Sequence, residues 1–340
     1  MSFLGKISGL EKDAFGLDIG YQDLKVVQLK KKDASFKLQG IGDSPSPKEP
    51  FSKDNVKDKK GLAAAIKKAV SDFHISAKAI VSALPESLVF TKIIQVPKME
   101  LRELETSVPL EAASFIPLEP VHTYLDFQVV GQTKEKYEIL VVSTSKSLVD
   151  DFIDTVNQVG FDLMCLETKP IANARALFKP FDKGAFLILD LGAEATSLTI
   201  YDEGGIKFTA TLPFGGYLLT RDIASTLSVP QQKAEEMKIK LGITKEGVEI
   251  KKALEGSLNN LIEEIAAALK YYQSHKEKAK IEKIVLVGGG ASMPGLCGFL
   301  QEKTGIRTEL GNPWQSIKNP PKEKQGLQFT TAIGLAMRQV

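Results

Sequence analysis

The sequence contains few of the residues that build disulfide frameworks and structural metal centres. Two cysteines, three histidines and one tryptophan occur among 340 residues. Cys165 and Cys297 cannot form a disulfide scaffold, which indicates a reducing compartment. The scarcity of cysteine and histidine also argues against a structural zinc site.

Long apolar runs and an excess of one charge are missing as well. No stretch of about 20 apolar residues occurs, so no transmembrane helix is expected. The N-terminal segment lacks the apolar core and cleavage site of a secretory signal. With 44 Lys+Arg and 42 Asp+Glu, the net charge of +2 gives no electrostatic case for nucleic acid or an anionic membrane. The composition therefore predicts a cytosolic protein.

What remains is an ordinary globular composition, 43% hydrophobic and 25% charged. The length predicts two domains or one large two-lobed fold. Short aliphatic segments at 15–20, 24–29 and 35–41 predict an antiparallel meander, and a second meander is predicted over 186–212. Between them, residues 78–160 alternate predicted strands and helices and form a small α+β insertion.

The two meanders share a motif. Leu-Asp-Ile-Gly at 17–20 matches Leu-Asp-Leu-Gly at 189–192, and two copies about half a chain apart predict two similar lobes. Chance similarity between two hairpins is the alternative for this match alone. Glycine can bring bare backbone N–H groups close to a phosphate. Two such hairpins facing each other would grip a phosphate chain, and Asp18 and Asp190 would hold Mg²⁺.

A third motif follows the predicted strand at 283–287. It consists of Gly288, Gly289 and Gly290, whose missing side chains would let a base or ribose pack on the backbone. A glycine triplet alone is more often a plain loop, but the three motifs in this order predict a nucleotide site. No Gly-x-x-x-x-Gly-Lys-Ser/Thr loop is present, which excludes a P-loop ATPase.

Together these motifs resemble the actin-like ATPase superfamily, which includes actin, sugar kinases, MreB and FtsA. Within it the sequence is most similar to the PilM family, cytoplasmic proteins of type IV pilus assembly. Residues 111–117 (Glu-Ala-Ala-Ser-Phe-Ile-Pro) and 125–128 (Leu-Asp-Phe-Gln) carry that likeness. The resemblance implies an α/β, two-lobed actin-like ATPase, a duplicated ribonuclease-H-like fold with an FtsA-type 1C insertion.

The resemblance also implies ATP and Mg²⁺ as cofactors, with Asp18 and Asp190 as metal ligands. Lys25, Glu235 and Lys238 are among the implied nucleotide contacts, but each has an alternative. Lys25 could be an exposed strand lysine, and Glu235 and Lys238 could be solvated helix charges. The implied nucleotide contacts come from two phosphate loops, a glycine pair, one helix and the adenosine loop: Gly20, Tyr21, Gln22, Lys25, Gly192, Ala193, Glu194, Thr196, Gly215, Gly216, Glu235, Lys238, Gly288, Gly289, Gly290 and Met293.

The same resemblance implies a division into four subdomains. Subdomain 1A takes residues 1–79 and 159–185, and the partner-binding 1C insertion takes 80–158. The remaining subdomains are 2A, with 186–226 and 283–340 including the return of the last helix, and 2B, with 227–282.

Catalytic residues are harder to find. Hydrolysis needs a group within hydrogen-bond reach of the attacking water. MreB-like relatives carry an acid before proline at the connecting helix, whereas this sequence has Lys169-Pro170, with Glu167 as the nearest acid. Glu167 is therefore the candidate catalytic residue. The expected activity is at most a slow ATPase, with ATP as a structural or switching ligand.

The resemblance implies an ATP-binding scaffold that docks the N-terminal cytoplasmic tail of an inner-membrane PilN-like protein on its 1C side. The membrane would then be reached through the partner and not through lipid. Two alternatives stay open. One is an FtsA-like, filament-forming division protein, and the other is an ATP-dependent small-molecule kinase on the same fold.

Overall fold

The computed structural model describes residues 13–117, 119–179, 182–276, 280–321 and 326–338. Residues 1–12 of the predicted subdomain 1A and Leu118, which follows the motif at 111–117, lie outside the described residues. The chain forms two units. The first consists of Met1–Phe178, Pro313–Lys324 and Phe329–Val340, and the second of Lys179–Asn312 and Gln325–Gln328. The finer division into four subdomains stays a prediction.

The strands are, in chain order, β1 (Ala14–Ile19), β2 (Asp23–Lys32), β3 (Ser35–Pro45), β4 (Ala79–Ala83), β5 (Phe90–Pro97), β6 (Thr123–Gln132), β7 (Lys136–Ser145), β8 (Asp162–Glu167), β9 (Ala185–Leu191), β10 (Thr196–Asp202), β11 (Gly205–Leu212), β12 (Ile281–Val287), β13 (Thr308–Leu310) and β14 (Ile317–Lys318). The α-helices are α1 (Lys59–Asp72), α2 (Leu101–Ala112), α3 (Lys146–Asn157), α4 (Lys169–Leu177), α5 (Gly216–Leu227), α6 (Gln231–Lys240), α7 (Val248–Ala253), α8 (Glu255–His275), α9 (Leu296–Thr304) and α10 (Thr330–Ala336).

The main sheets of the two units share a five-strand arrangement, to which the first unit adds β14 beside β3. In the first unit the order is β14-β3-β2-β1-β4-β8, and in the second it is β11-β10-β9-β12-β13. Each begins with an antiparallel meander, β1–β3 or β9–β11. Each then adds two parallel strands beside the first meander strand, β4 and β8 or β12 and β13. The duplication predicted from the repeated Leu-Asp-x-Gly motif is therefore confirmed.

The central strands are buried on both faces, as their nearly continuous apolar sequences predict. In the first unit, β1 contributes the fully buried Phe15 and Leu17 to the core. The apolar spacing over 60–73 predicts a helix, and α1 covers this sheet there with an apolar stripe that includes Leu62 and Ile66. Burying each such side chain stabilises the fold by about 1.5–3 kcal/mol.

The insertion between β4 and β8 has a core of its own. Its sheet has the order β5-β7-β6, and α2 packs on it through Leu104 and Val108. Pro109 is predicted to start a second helix or to kink the first, yet α2 continues through it to Ala112. Gly160, which follows α3, has φ +82°, in agreement with its predicted role at the end of this helix.

The last helix, α10, packs on β1 and α4 of the first unit at very short range. A Cβ on Gly16 would lie 2.1 Å from the carbonyl oxygen of Ala332, and one on Gly334 would lie 1.8 Å from that of Ala172. Only glycine permits these approaches. Across the part of the chain that the structure describes, no helix is long and apolar enough to cross a membrane.

Candidate functional site

The loop between β1 and β2 is a tight turn. The Gly20 N–H donates to the carbonyl oxygen of Asp23 at 2.9 Å. A Cβ on Gly20 would lie 2.8 Å from that same oxygen, so a side chain at this position would clash. Tyr21 is half-buried at the turn and Gln22 is exposed. The first predicted phosphate loop therefore has the compact glycine turn that its motif indicates.

The loop between β9 and β10 repeats this geometry in the second unit. The Gly192 N–H donates to the carbonyl oxygen of Ala195 at 3.0 Å, and a Cβ on Gly192 would again lie 2.8 Å from that oxygen. The start of α5 is bonded to the loop, because Gly216 donates to Gly192 at 3.0 Å and Tyr217 donates to Ala193 at 2.8 Å. The second predicted loop is thus held by α5, the helix that follows β11.

The two aspartates of the repeated motif occupy equivalent positions. Asp18 lies opposite Lys25 in the β1–β2 ladder. Asp190 lies opposite Ser197 in the β9–β10 ladder. Asp18 is buried and Asp190 is half-buried. Each unit therefore contributes one carboxylate beside one glycine turn.

The carboxylate of Asp18 is paired with a lysine that the sequence motifs did not identify as its partner. The Nζ of Lys169, the first residue of α4, lies 2.8 Å from Oδ1 of Asp18. Burial raises the pKa of Asp18, but Lys169 and then Lys25 outweigh it, so the pKa is below its ordinary value. The charge of this carboxylate is therefore balanced within the chain, and its predicted role as an Mg²⁺ ligand stays a prediction.

A signal for Lys169 was present in the sequence. β1, β4 and β8 are parallel neighbours, so their carboxyl ends meet at one edge of the sheet. Asp18 is near the end of β1, and Lys169 follows β8 after one residue. The motifs do not reveal the strand order that brings these ends together, so in the sequence Lys169 stands out only as the replacement of an acid.

Glu235 and Lys238 are brought to the start of α5. The Nζ of Lys238 donates to the Gly216 carbonyl at 2.9 Å and to Oγ1 of Thr220 at 2.8 Å. It also lies 2.7 Å from Oε2 of Glu235, which accepts a further hydrogen bond from Thr220. Lys238 is buried. The alternative of a merely solvated lysine is therefore wrong for Lys238.

Two glycine contacts tie this network to the second loop. A Cβ on Gly215 would lie 2.4 Å from the carbonyl carbon of Glu194, so the chain passes the loop at a distance that only glycine allows. A Cβ on Gly216 would lie 3.4 Å from Nζ of Lys238. The residues predicted from the second loop, the glycine pair and α6 therefore form one continuous group.

The glycine triplet after β12 packs against the end of β9. Gly288 has φ +82°, and a Cβ there would lie 2.5 Å from Oδ1 of Asp190. A Cβ on Gly290 would lie 3.1 Å from that of Leu191, whereas one on Gly289 would meet nothing within 4 Å. The predicted adenosine loop is thus adjacent to the second aspartate, with the backbone of Gly289 facing open space.

Two of the predicted nucleotide contacts have buried side chains. Thr196 is fully buried, and its Oγ1 donates to the Phe214 carbonyl at 2.6 Å. Met293 is also buried. A role for either residue at a ligand would therefore depend on its backbone.

Glu167 is held by two arginines. Arg175 donates to both carboxylate oxygens at 2.8 and 2.7 Å, and Arg338 forms a further ion pair with one of them. Burial raises the pKa of Glu167, but Arg175 and then Arg338 bring it below its ordinary value. The arrangement ties β8 to α4 and to the segment after α10. It favours a structural role over the predicted catalytic one.

Within the described ranges, no group of three or more histidine, cysteine, aspartate and glutamate side chains is placed to hold a metal ion. The assignment of Asp18 and Asp190 to Mg²⁺ stays a prediction.

Comparison with known proteins agrees with this architecture. The chain is 22% identical to the cell division protein FtsA of Neisseria meningitidis serogroup B, over 94% of this chain and 88% of that protein. It is 24% identical to FtsA of Streptococcus pneumoniae serotype 2, over 90% of this chain and 77% of that protein. Its fold is also similar to MreB5 of Spiroplasma citri bound to AMPPNP, with a TM-score of 0.55, 12% identity and 94% of each chain covered.

A stronger likeness is to a chain of a solved PilM-PilN type IV pilus biogenesis complex. The TM-score is 0.83 at 27% identity, over 96% of this chain and 98% of that one. These likenesses confirm the predicted actin-like fold. The family model described as type IV pilus assembly protein PilM matches residues 16–340. The chain therefore belongs to the PilM family of type IV pilus assembly proteins.

Proposed function

We propose that this chain is an actin-like, ATP-binding scaffold of type IV pilus assembly that docks the N-terminal cytoplasmic tail of an inner-membrane PilN-like protein. The observation that carries this proposal is the likeness to the PilM-PilN complex over 96% of the chain. The protein would work in the cytoplasm and reach the inner membrane through its partner. The net charge of +2 supports attachment through a protein over direct attraction to anionic lipid.

The nucleotide part of the proposal is supported by the two glycine turns. Turns of the same geometry follow Asp18 and Asp190, and each is too tight for a side chain at its glycine. In the second unit, a Cβ on Gly289 would meet nothing within 4 Å, which leaves space beside the end of β9 where a flat base or ribose could pack. We assign the phosphate contacts to residues 20–22 and 192–194 and the adenosine contacts to residues 288–290.

Magnesium fits this arrangement less well than the motif implies. Mg²⁺ takes oxygen ligands and keeps several of its waters. The Asp18 carboxylate is buried and paired with Lys169 at 2.8 Å, so its charge is balanced by the chain itself. We therefore include ATP in the proposal and leave Asp18 out of any metal site.

The same observations support binding over turnover. Lys169, a cation, lies beside Asp18, and the nearby acid Glu167 is occupied by Arg175 and Arg338. Neither arrangement supplies a free base for an attacking water. ATP would then act as a structural or switching ligand. It would stabilise the folded chain by about 2.7 kcal/mol at a hundredfold excess over Kd.

The insertion is the proposed docking surface for the tail. It has its own sheet and core, and it leaves large apolar side chains in solvent, with Leu110 72% exposed and Leu101 and Val121 also exposed. Exposed apolar groups of this kind mark candidate interaction sites. We expect the tail to contact this surface.

A pull-down with the N-terminal tail of the PilN-like protein from the same organism tests the proposal. We expect capture of the chain by the tail and about tenfold weaker capture of the Leu110→Glu variant. Ile239→Glu, a substitution at a 63% exposed apolar residue of the second unit, is the matched control and should be captured normally. Capture that is insensitive to substitution of Leu101, Leu110 and Val121 would contradict the proposed surface.

The same assay with and without ATP separates two functions. Asp190→Ala should remove any effect of ATP on capture and leave basal capture of the tail unchanged. If neither ATP nor the tail binds, the scaffold proposal is wrong.

An FtsA-like function is the second candidate, because FtsA proteins of two bacteria are matched over most of the chain. Filament formation with ATP, seen by sedimentation, would favour this candidate. Recruitment to liposomes without any partner would favour it as well.

A further inference from the structure

We infer that Lys169 takes the place of a divalent cation beside Asp18, so that this chain binds ATP without requiring Mg²⁺. The inference rests on the nucleotide function proposed above. It concerns only the first phosphate loop and the residues packed behind it, all of which belong to the first unit.

The Lys169–Asp18 pair is shielded from water. The two side chains are 19% and 8% exposed, and their charged atoms are 2.8 Å apart. Attraction between opposite charges is much stronger in such surroundings than in bulk water. Mg²⁺ would therefore have to displace a close, poorly hydrated ammonium group before it could approach this carboxylate.

The backbone around Lys169 holds the lysine in this position. Lys169 is the first residue of α4, and Pro170 follows at a position where its fixed φ suits the start of a helix. The preceding strand β8 pairs with β4, which in turn pairs with β1. The position of the ammonium group beside Asp18 is thus set by the paired strands of the main sheet.

The charges near Asp18 balance without a metal ion. Lys25 lies directly opposite Asp18 on β2, and its Nζ is 3.3 Å from Oδ2 of Asp23. Two ammonium groups therefore face two carboxylates. A divalent cation would add two positive charges to a neutral group that already holds two cations. An anionic phosphate would instead meet lysines, which bind phosphate as point charges.

Calorimetric titration of ATP into the intact protein, with Mg²⁺ or with EDTA, tests the inference. We expect dissociation constants that agree within about threefold. Binding that weakens about tenfold or more in EDTA would overturn the inference and leave the proposed nucleotide function intact. An absence of ATP binding under both conditions would overturn the nucleotide function and the inference together.

Variants at Lys169 test whether this lysine is what makes ATP binding independent of Mg²⁺. Lys169→Gln leaves Asp18 without its cation, and we expect Mg²⁺ to strengthen ATP binding by about tenfold in that variant. Lys169→Arg keeps the charge and should keep the ratio near one. Lys67→Gln, at an exposed lysine on α1, is the matched control for losing one positive charge. A Lys169→Gln protein with no response to Mg²⁺ would contradict the inference.

Loss of the buried ion pair could also unfold the protein. The double variant Asp18→Asn/Lys169→Gln removes both charges, and thermal unfolding without nucleotide reports whether each variant is folded. We expect the double variant to fold and to bind ATP with no Mg²⁺ dependence. A Mg²⁺-dependent double variant would show that the metal acts elsewhere, and the inference would be wrong.

Discussion

Buried acidic side chains in the first unit are matched by basic side chains from other elements. Glu167 at the end of β8 is bound by Arg175 from α4 and by Arg338 from the segment after α10. Removing one partner from a buried pair costs about 3–5 kcal/mol, because an uncompensated charge stays behind. These pairs therefore influence stability strongly at single positions.

Substitution of Glu167 tests this at the residue scale. Glu167→Gln should lower the free energy of unfolding by about 3 kcal/mol at neutral pH, as measured by urea denaturation. The folded pKa of Glu167 is lowered, so its stabilisation is present above the ordinary pKa of 4.5 and is lost as pH falls through the folded value. The difference between the two proteins should therefore shrink below about pH 4.5.

The matched control is Glu309, which is partly exposed and pairs with Lys283 and Arg307. Glu309→Gln should cost less than about 1 kcal/mol, because partly exposed pairs are weak. Equal stabilities of wild type and Glu167→Gln at neutral pH would contradict the structural role of Glu167.

The two cysteines should differ in reactivity. Burial, and then the charge of Glu167, raises the pKa of the Cys165 thiol to about 12, whereas Cys297 is only half-buried. The thiolate is the reactive form. Iodoacetamide should therefore alkylate Cys297 in the folded protein and Cys165 only after unfolding, as followed by mass spectrometry. Equal alkylation rates would contradict the packing around β8.

At the residue scale, the sequence predicts the residues that lie within a motif, but it does not reveal the charged partners that come from distant parts of the chain. The positions of Asp18 and Asp190 follow from the Asp-x-Gly pattern, because a hairpin is a short-range structure. Lys169 and Arg338 reach their acidic partners only through the tertiary fold. From the motifs alone, the sequence predicts a metal ion at Asp18 and catalysis at Glu167, and the ion pairs of both residues become visible only in the fold.

At the scale of elements, the glycine turns depend on close backbone contacts. Gly288 has a positive φ and packs against Asp190, whereas a Cβ on Gly289 would meet nothing within 4 Å. Positive φ disfavours any residue with a Cβ by about 1–2 kcal/mol. Neighbouring glycines of one loop therefore have different structural requirements.

Alanine substitutions separate these requirements. Gly288→Ala should destabilise the protein by about 1–3 kcal/mol, since it adds both backbone strain and a clash. Gly289→Ala should leave the thermal midpoint unchanged and weaken ATP binding, because its methyl group would occupy the proposed adenosine surface. Unchanged ATP affinity in Gly289→Ala would contradict that assignment.

Elements with clear apolar periodicity were predicted well, and those held by tertiary contacts were not. Helix α1 has a full apolar stripe and agrees with its predicted span. The sequence predicts this helix only around Thr220–Leu227. The first turn of α5 precedes that span, because Gly216 is a poor helix former that is held by Lys238 and the second loop. Helix α7, with only six residues, is too short to show a period.

At the scale of the whole molecule, a four-residue repeat was enough to predict duplication. Each copy of the motif lies at the end of the first strand of a meander, and that meander with two parallel strands beside it recurs in both units. The insertion between β4 and β8 was recognised as an α+β block because its strands and helices carry their own apolar core. Which apolar residues of this insertion are exposed cannot be predicted from the sequence pattern alone.

Assembly state separates the scaffold from an FtsA-like filament. We expect sedimentation velocity to give the same discrete species with and without ATP, because the proposed role of the nucleotide is to stabilise or switch the chain. A species that grows with protein concentration and pellets only with ATP would contradict the scaffold proposal and favour an FtsA-like filament.

Tail binding tests the central claim most directly. Calorimetric titration of the PilN-like N-terminal tail into the purified chain should give saturable binding with one site per chain. A tail of the same composition in scrambled order should give none, and Leu110→Glu should weaken binding while Ile239→Glu does not. Failure of the native tail to bind, or equal binding of the scrambled tail, would contradict the account.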